Sequence, residues 1–186
     1  MNNPSGLRTD ARRNYERLLK AAEAILASQG SFTNLEAVAK RAGVGIGTLY
    51  RHFPSRKVLL EAVYADKISD LLSKTKVAAN TSPEEALVTW LKTMANYTVN
   101  YHGFDAFVRL TLDDNNSPLT TAGNTLLSRA QKAGTMSADV TIFDLLRLVT
   151  AIATSDTPKN DLKRVDNLIT SMVQGFSQPA AKKAKS

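Results

Sequence analysis

Leu35-Glu36-Ala37-Val38-Ala39-Lys40-Arg41-Ala42-Gly43-Val44-Gly45-Ile46-Gly47-Thr48-Leu49-Tyr50-Arg51-His52 is the stretch that decides how the chain is read. Two short helices that cross steeply at a tight turn make three demands on a sequence. The first helix needs a small residue where the second approaches, and Ala39 is small. The turn needs a positive φ, which is cheap only without a side chain, and Gly43 meets that need. The crossing needs apolar contacts, and Val38, Val44 and Leu49 provide them. A second helix from Ile46 to about His52 then presents Thr48, Tyr50, Arg51 and His52 outward. The pattern is a helix-turn-helix.

Working outward, the apolar spacing stays helical almost throughout. Tyr15, Leu18, Ala22 and Ile25 share one face, which predicts a helix from about Asp10 to Ser28, stopped by Gly30. Thr33-Asn34-Leu35-Glu36 reads as a capping box. Pro54 breaks the third helix. Ser55 then caps one long helix, Ser55–Lys76, with Val58, Leu59, Ala62, Val63, Ile68, Leu71 and Leu72 along it. Ser82-Pro83-Glu84-Glu85 is the clearest helix start, with a Ser cap, Pro at the first position and Glu at the third. Leu87, Trp90, Leu91, Met94, Thr98 and Tyr101 follow at helical spacing. Gly103 interrupts, and Phe104–Leu112 is short and helical. Asp113–Pro118 is a polar loop, and Leu119–Ala133 is a helix ended by Gly134. Val140–Ala153 is apolar on nearly every side, so it needs cover on more than one face. Asp156-Thr157-Pro158 is a turn. Leu162, Val165, Ile169, Met172, Val173 and Phe176 stripe a last helix. The expectation is an all-α chain of about nine helices with no internal repeat.

Charge is distributed unevenly. The 186 residues carry a net charge of +7. Residues 1–67 hold 11 Lys/Arg against 6 Asp/Glu, whereas residues 68–178 hold 10 against 11. Lys182, Lys183 and Lys185 make a basic end at 179–186, a segment without pattern and expected to be disordered. A basic N-terminal unit beside a neutral body suggests one polyanion-binding module on a scaffold. Surface lysines alone would give a similar balance, so charge by itself decides nothing.

Other chemistry is sparse. His52 and His102 lie far apart without ligand spacing, so no metal site is expected. Gly43-Val44-Gly45-Ile46-Gly47 lacks the strand and βαβ unit of a dinucleotide loop. Asp113-Asp114 fits a solvated turn better than an acid pair. No enzyme activity and no cofactor are expected. No run approaches a membrane span, the polar N-terminus is no signal peptide, and a cytoplasmic protein is expected. Cysteine is absent, which excludes disulfides and thiolate sites. The competing class is a helical carrier or lipid-binding protein whose basic end is incidental. Retention of mixed duplex DNA in low salt separates the two.

The segment from Leu35 through Gly47-Thr48-Leu49-Tyr50-Arg51-His52-Phe53 to the basic helix start Pro54-Ser55-Arg56-Lys57-Val58-Leu59-Leu60 resembles the TetR family of transcriptional regulators. The resemblance is close over about residues 10–65 and architectural beyond. Many relatives carry Ser where this chain has Gly45, which would remove one hydroxyl contact to phosphate. The resemblance implies a helix-turn-helix DNA-binding domain at 8–54 and a helical ligand-binding and dimerisation domain at 55–178. It implies a sequence-specific regulator, a repressor released from a palindromic operator by a small-molecule effector. Ile46–His52 would enter the major groove, with Gly47 allowing close approach and Thr48, Tyr50, Arg51 and His52 touching phosphates or bases. Asn34 and Arg56 sit at helix starts that favour phosphate oxygens, and Lys57 adds charge. Arg8, Arg12 and Arg13 would form an arm along the backbone or in the minor groove.

A homodimer is expected, because one short recognition helix reads too few base pairs to find its site. The helices at Val140–Ala153 and Leu162–Phe176 would pair across the two-fold axis as a four-helix bundle, with Val149 and Ile169 in the interface. An effector pocket is expected from Trp90, Met94 and Tyr97, one turn apart, closed by Phe107 and Phe143. Tyr97 and Arg147 would be its polar groups. An aromatic stripe at this spacing also fits plain core, and Arg147 also fits an ion pair with Asp144.

Overall fold

The computed structural model describes residues 4–29, 34–77, 81–112, 114, 116–155 and 161–177. Ten helices and no strand occur among the described residues. They are α1 (Pro4–Gln29), α2 (Leu35–Ala42), α3 (Ile46–His52), α4 (Arg56–Val63), α5 (Ala65–Val77), α6 (Pro83–Asn100), α7 (Phe104–Thr111), α8 (Pro118–Lys132), α9 (Ile142–Thr154) and α10 (Leu162–Gly175). Expectations that rest on Gly30, Thr33, Asp113, the Asp156–Pro158 turn, the basic end at 179–186 and the Arg8 side chain lie outside the described residues.

The chain makes two compact units. One runs through Ala65 and takes in Tyr101–Phe107; the other holds 66–100 and the described residues from Val108 on. The first unit reaches past the expected boundary at residue 54 because α4 packs on α1 and buries Leu59 and Leu60. α1 starts six residues earlier than expected, at Pro4, where the missing N–H costs nothing in a first turn. It buries Leu18, Ala22, Ile25 and Leu26, while Tyr15 stays 37% exposed.

The expected single helix from Ser55 to Lys76 is instead two helices. Ser55 caps α4 as expected, its hydroxyl accepting from the Val58 N–H. The break falls at Tyr64, whose backbone leaves helical geometry at φ −103° and ψ 17°. Val63-Tyr64-Ala65 contains no breaker, so the cause is tertiary. Tyr64 is 4% exposed, its hydroxyl donates to the His102 carbonyl, and its ring meets Phe104 edge-on at 5.1 Å. Burial pushes the phenol above its ordinary pKa and keeps it a donor.

In the second unit α6 is central and packs against α8, α9 and α10. The capping box expected at its start is present: Ser82 Oγ accepts from the Glu85 N–H, and Glu85 Oε2 accepts from the Ser82 N–H. Leu87, Leu91, Met94 and Ala95 are fully buried and Trp90 is 1% exposed. The indole N–H of Trp90 donates to the Leu71 carbonyl at 3.1 Å, so its burial leaves no polar atom unsatisfied. Gly123 lets α8 come close. A Cβ there would lie 2.7 Å from the Ile142 side chain and 3.0 Å from the Trp90 ring. A second capping box, Thr141 with Asp144, opens α9. Gln131 Nε2 donates to the carbonyls of Ser137 and Val140 and pins the connection before it.

The two terminal helices correct one expectation. Val149 and Ile169, expected in a dimer interface, are both fully buried within the single chain. The large apolar side chains left outward on α9 and α10 are Leu148 (38% exposed) and Leu168 (42%). A helix that is apolar all round does not announce which stripe its own chain covers.

Two outcomes test this packing. Gly123→Ala gains helix propensity of about 1 kcal/mol but overpacks the site, at a cost of roughly 1–3 kcal/mol. The expected result is a net loss on the order of 1 kcal/mol by denaturant unfolding, with a smaller penalty in an Ile142→Ala background. An unchanged midpoint would remove the close α8 contact. The second outcome concerns α5 and α6. Lys74 and then Tyr97 hydrogen-bond Asp70 Oδ2, each at 2.6 Å, and hold its carboxyl below the usual range. A depressed folded pKa gives stability that is complete above the unfolded value of about 3.9 and is lost as pH falls through the folded one. Asp70→Asn should therefore flatten the fall in stability below about pH 4. Parallel pH profiles for the two proteins would show that the trio carries none of it.

Candidate nucleic-acid interface

The interface is built on a turn. Asn34 caps α2, its Oδ1 accepting from the Ala37 N–H at 3.0 Å. It ends at Gly43, at φ 64° and ψ 39°. The Gly43 N–H donates to the Lys40 carbonyl and the Val44 N–H to the Ala39 carbonyl, each at 3.1 Å. This paired closure is a Schellman motif, which needs a left-handed residue at that position. Arg17 Nη2 donates to the Gly43 carbonyl at 3.3 Å. A Cβ on Gly43 would sit 2.6 Å from that nitrogen and displace the end of the flexible Arg17 side chain, while the positive φ is what demands glycine.

α3 follows after two residues. Leu49 is fully buried, and Phe53 just beyond the helix is 1% exposed. Those anchors set the helix rotation, and the 3.6-residue period leaves Ile46, Gly47, Tyr50 and Arg51 on the exposed side. Ile46 is 40% and Tyr50 50% exposed. Thr48 and His52 are half-buried at the edges of that face. His52 lies edge-on to Tyr15, ring centroids 6.1 Å apart, and Tyr15 also packs on Phe53 at 5.0 Å. Gly45 caps α3 without a side-chain bond; its carbonyl accepts from the Thr48 and Leu49 N–H groups. No atom lies within 4 Å of where a Cβ on Gly47 would be, so internal packing does not require glycine there. Its bareness matters to whatever approaches from outside.

Cations surround this face. Arg56 and Lys57 are half-buried in the first turn of α4, and Lys57 pairs with Glu61 at 3.7 Å. On α1, Arg12 pairs with Glu16 at 3.0 Å and Arg13 with Asp10 at 4.0 Å, all well exposed. Such exposed pairs are weak and leave both arginines able to exchange partners. The eight residues expected at a DNA surface thus all lie in the first unit. The sequence reading missed Tyr15 as a support for His52 and Arg17 as a tie on the turn. Neither has a local signal, because both act across the fold.

The six residues expected to line an effector pocket fall in both units. Trp90 and Met94 are packed core of the second unit. Tyr97 is half-buried, with its hydroxyl committed to Asp70. Phe143 is half-buried on α9. Phe107 belongs to the first unit, where it packs on Tyr64 and Phe104. Arg147 is exposed and lies 3.9 Å from Asp144, the ion pair expected as its alternative role. A surface arginine one turn from its partner carboxylate is not aimed into a core. Among the described residues no group of three or more His, Asp or Glu side chains is arranged to hold a metal. No helix among them is long and apolar enough to cross a membrane.

Comparison with known proteins agrees with this geometry. Residues 18–63 match the family described as bacterial regulatory proteins, tetR family, and residues 82–178 match the SbtR-like transcriptional regulator C-terminal domain. Over 77 residues the chain is 36% identical to the HTH-type transcriptional repressor KstR of Mycolicibacterium smegmatis. That stretch covers 40% of this chain and only 38% of KstR, so the chain matches well under half the length of that relative. The crystal structure of the TetR transcriptional regulator SCO0520 from Streptomyces coelicolor aligns over 89% of this chain and 99% of that one, at 27% identity and a TM-score of 0.52. FadR from Bacillus subtilis, solved with stearoyl-CoA, aligns over 87% of this chain and 99% of that one, at 17% identity and a TM-score of 0.56, which is a likeness of fold. Proteins of this kind are DNA-binding transcription factors and not enzymes, which sets aside the carrier alternative. The chain belongs to the TetR family of bacterial transcriptional regulators.

Proposed function

We propose that this regulator is a homodimeric repressor that holds a palindromic operator and is released from it by a small-molecule effector. The observation that carries the DNA half of this reading is the exposed face of α3, where Gly47, Tyr50 and Arg51 point outward over the buried Leu49 and Phe53. In this reading α3 enters the major groove, and Gly47 lets its backbone come close. Arg51 reads a base edge, and Thr48, Tyr50 and His52 contact the groove walls. Asn34, Arg56 and Lys57 bind phosphates; Asn34 uses its amide NH2, since its oxygen already caps α2. The name of KstR as a repressor supports repression over activation.

Dimerisation follows from the amount of DNA one helix can read. Leu148 and Leu168 are the candidate contacts across the axis, because they are the large apolar groups that α9 and α10 leave uncovered. The effector half rests on the fold shared with FadR, which holds stearoyl-CoA in its own structure. Tyr97 and Phe143, half-buried beside a packed Trp90–Met94 core, are the side chains that would have to give way.

Selection of bound duplexes from a random library should recover a palindrome with half-sites about 34–36 Å apart, one helical turn. Recovery of a single unrepeated motif would sink the dimeric reading of DNA. On the recovered operator, Arg51→Ala should relax preference at one position of each half-site, a loss of about 1–3 kcal/mol of discrimination. Arg56→Ala should instead weaken all duplexes alike and lower the log–log salt slope by about 0.9 per contact. A sequence preference altered by the Arg56 variant would reverse those roles. For the dimer, Leu148→Glu with Leu168→Glu should yield a folded monomer by sedimentation. Val149→Glu should unfold the subunit itself, because burying an unpaired carboxylate costs several kcal/mol. A doubly substituted protein that still sediments as a dimer would place the interface elsewhere.

A further inference from the structure

A second cationic surface lies in the first unit, away from the residues assigned above. Between α1 and α2 is a shallow basin of about 330 Å³ lined by Arg17, Lys20, Ala21, Ala24, Arg41 and Ala42. Its three polar side chains are all cations, all exposed, and no carboxylate lines it. Along α1, Lys20 has Glu16 one turn before it, whose carboxylate is taken by Arg12, and Glu23 one turn after it, which does not line the basin. The floor is alanine, so the cations stand around open space and are not laid over large apolar side chains. Arg17 is fixed by its bond to the Gly43 carbonyl. That carbonyl is three residues before the first residue of α3. The basin therefore adjoins the chain entry into the recognition helix.

The geometry points to this basin as a second seat for the phosphate backbone of duplex DNA, outside the groove that α3 enters. Three cations around a basin that no carboxylate lines raise the local positive potential, and the ligand that offers phosphates in a row is the duplex itself. Phosphate contacts position a protein without reading sequence, so the basin adds affinity and register and does not add specificity. The inference rests on the DNA-binding reading and extends the footprint beyond the residues named for it.

The experiment uses the full chain and a mixed-sequence duplex of about forty base pairs, with affinity followed against salt. Each neutralised phosphate contributes about −0.9 to the log–log slope. Lys20→Gln with Arg41→Gln removes two exposed charges and leaves Arg17 on the turn. The slope should become shallower by about 0.9 to 1.8 for each DNA-bound copy, with the melting temperature unchanged. A control with the same charge change on α8, Arg129→Gln with Lys132→Gln, should keep the wild-type slope. Equal slopes for wild type and the basin variant, or equal losses in basin variant and control, overturn the proposal while leaving DNA binding intact. Failure of the wild type to retain any duplex overturns DNA binding and the basin together. An unchanged DNA slope alongside weakened binding of polyglutamate assigns the basin to an acidic protein segment and overturns the DNA proposal.

Discussion

The left-handed residue at Gly43 is the constraint on which the DNA-facing half of the molecule depends. With φ at 64° the chain closes α2 through the Lys40 and Ala39 carbonyls and leaves at once into α3. A side chain at that position would meet the Arg17 guanidinium, which holds the same turn from α1. Three helices thus converge on one peptide. Leu49 and Phe53 then fix the rotation of α3, and every outward group on it inherits its direction from that rotation. None of these outward residues is held by a partner strong enough to aim it alone. The aim comes from the backbone.

How much could be read in advance follows from how local each cause is. The helix-turn-helix was legible because its turn, its small residue and its apolar contacts lie within eighteen consecutive residues. The same holds for the box at Ser82 and the stop at Gly134, each written in three or four neighbouring residues. The break at Tyr64 was not legible, because nothing in Val63-Tyr64-Ala65 disfavours a helix. It arises from a bond to His102 and rings at Phe104 and Phe107, some forty residues on. The choice between Val149 and Leu148 was hidden for a different reason. On a helix with almost no polar stripe, periodicity shows that burial occurs and not which neighbour provides it. For the aromatic set, spacing put Trp90, Met94 and Tyr97 on one face, whereas Phe107 lies in the first unit and Arg147 is exposed beside Asp144.

In the second unit several buried polar groups find partners within the chain. Trp90 gives its N–H to Leu71, and the buried threonines at 98 and 150 return their hydroxyls to carbonyls one turn back. Gly123 removes the last gap between α8 and the Trp90–Ile142 pair.

The membership of Tyr101–Phe107 in the first compact unit bears on the order in which the protein is made. On the ribosome the residues through Ala65 emerge first, yet the rings of Phe104 and Phe107 that seat Tyr64 follow only after the thirty-five residues 66–100. The DNA-reading half is therefore finished late, after much of the second unit's central helix has been synthesised. A nascent chain cannot present a completed first unit until residues 101–107 have been made. For the same reason the first unit is not one continuous stretch of sequence: anyone transplanting the reading head onto another body must carry the distant segment with it or rebuild the floor beneath Tyr64.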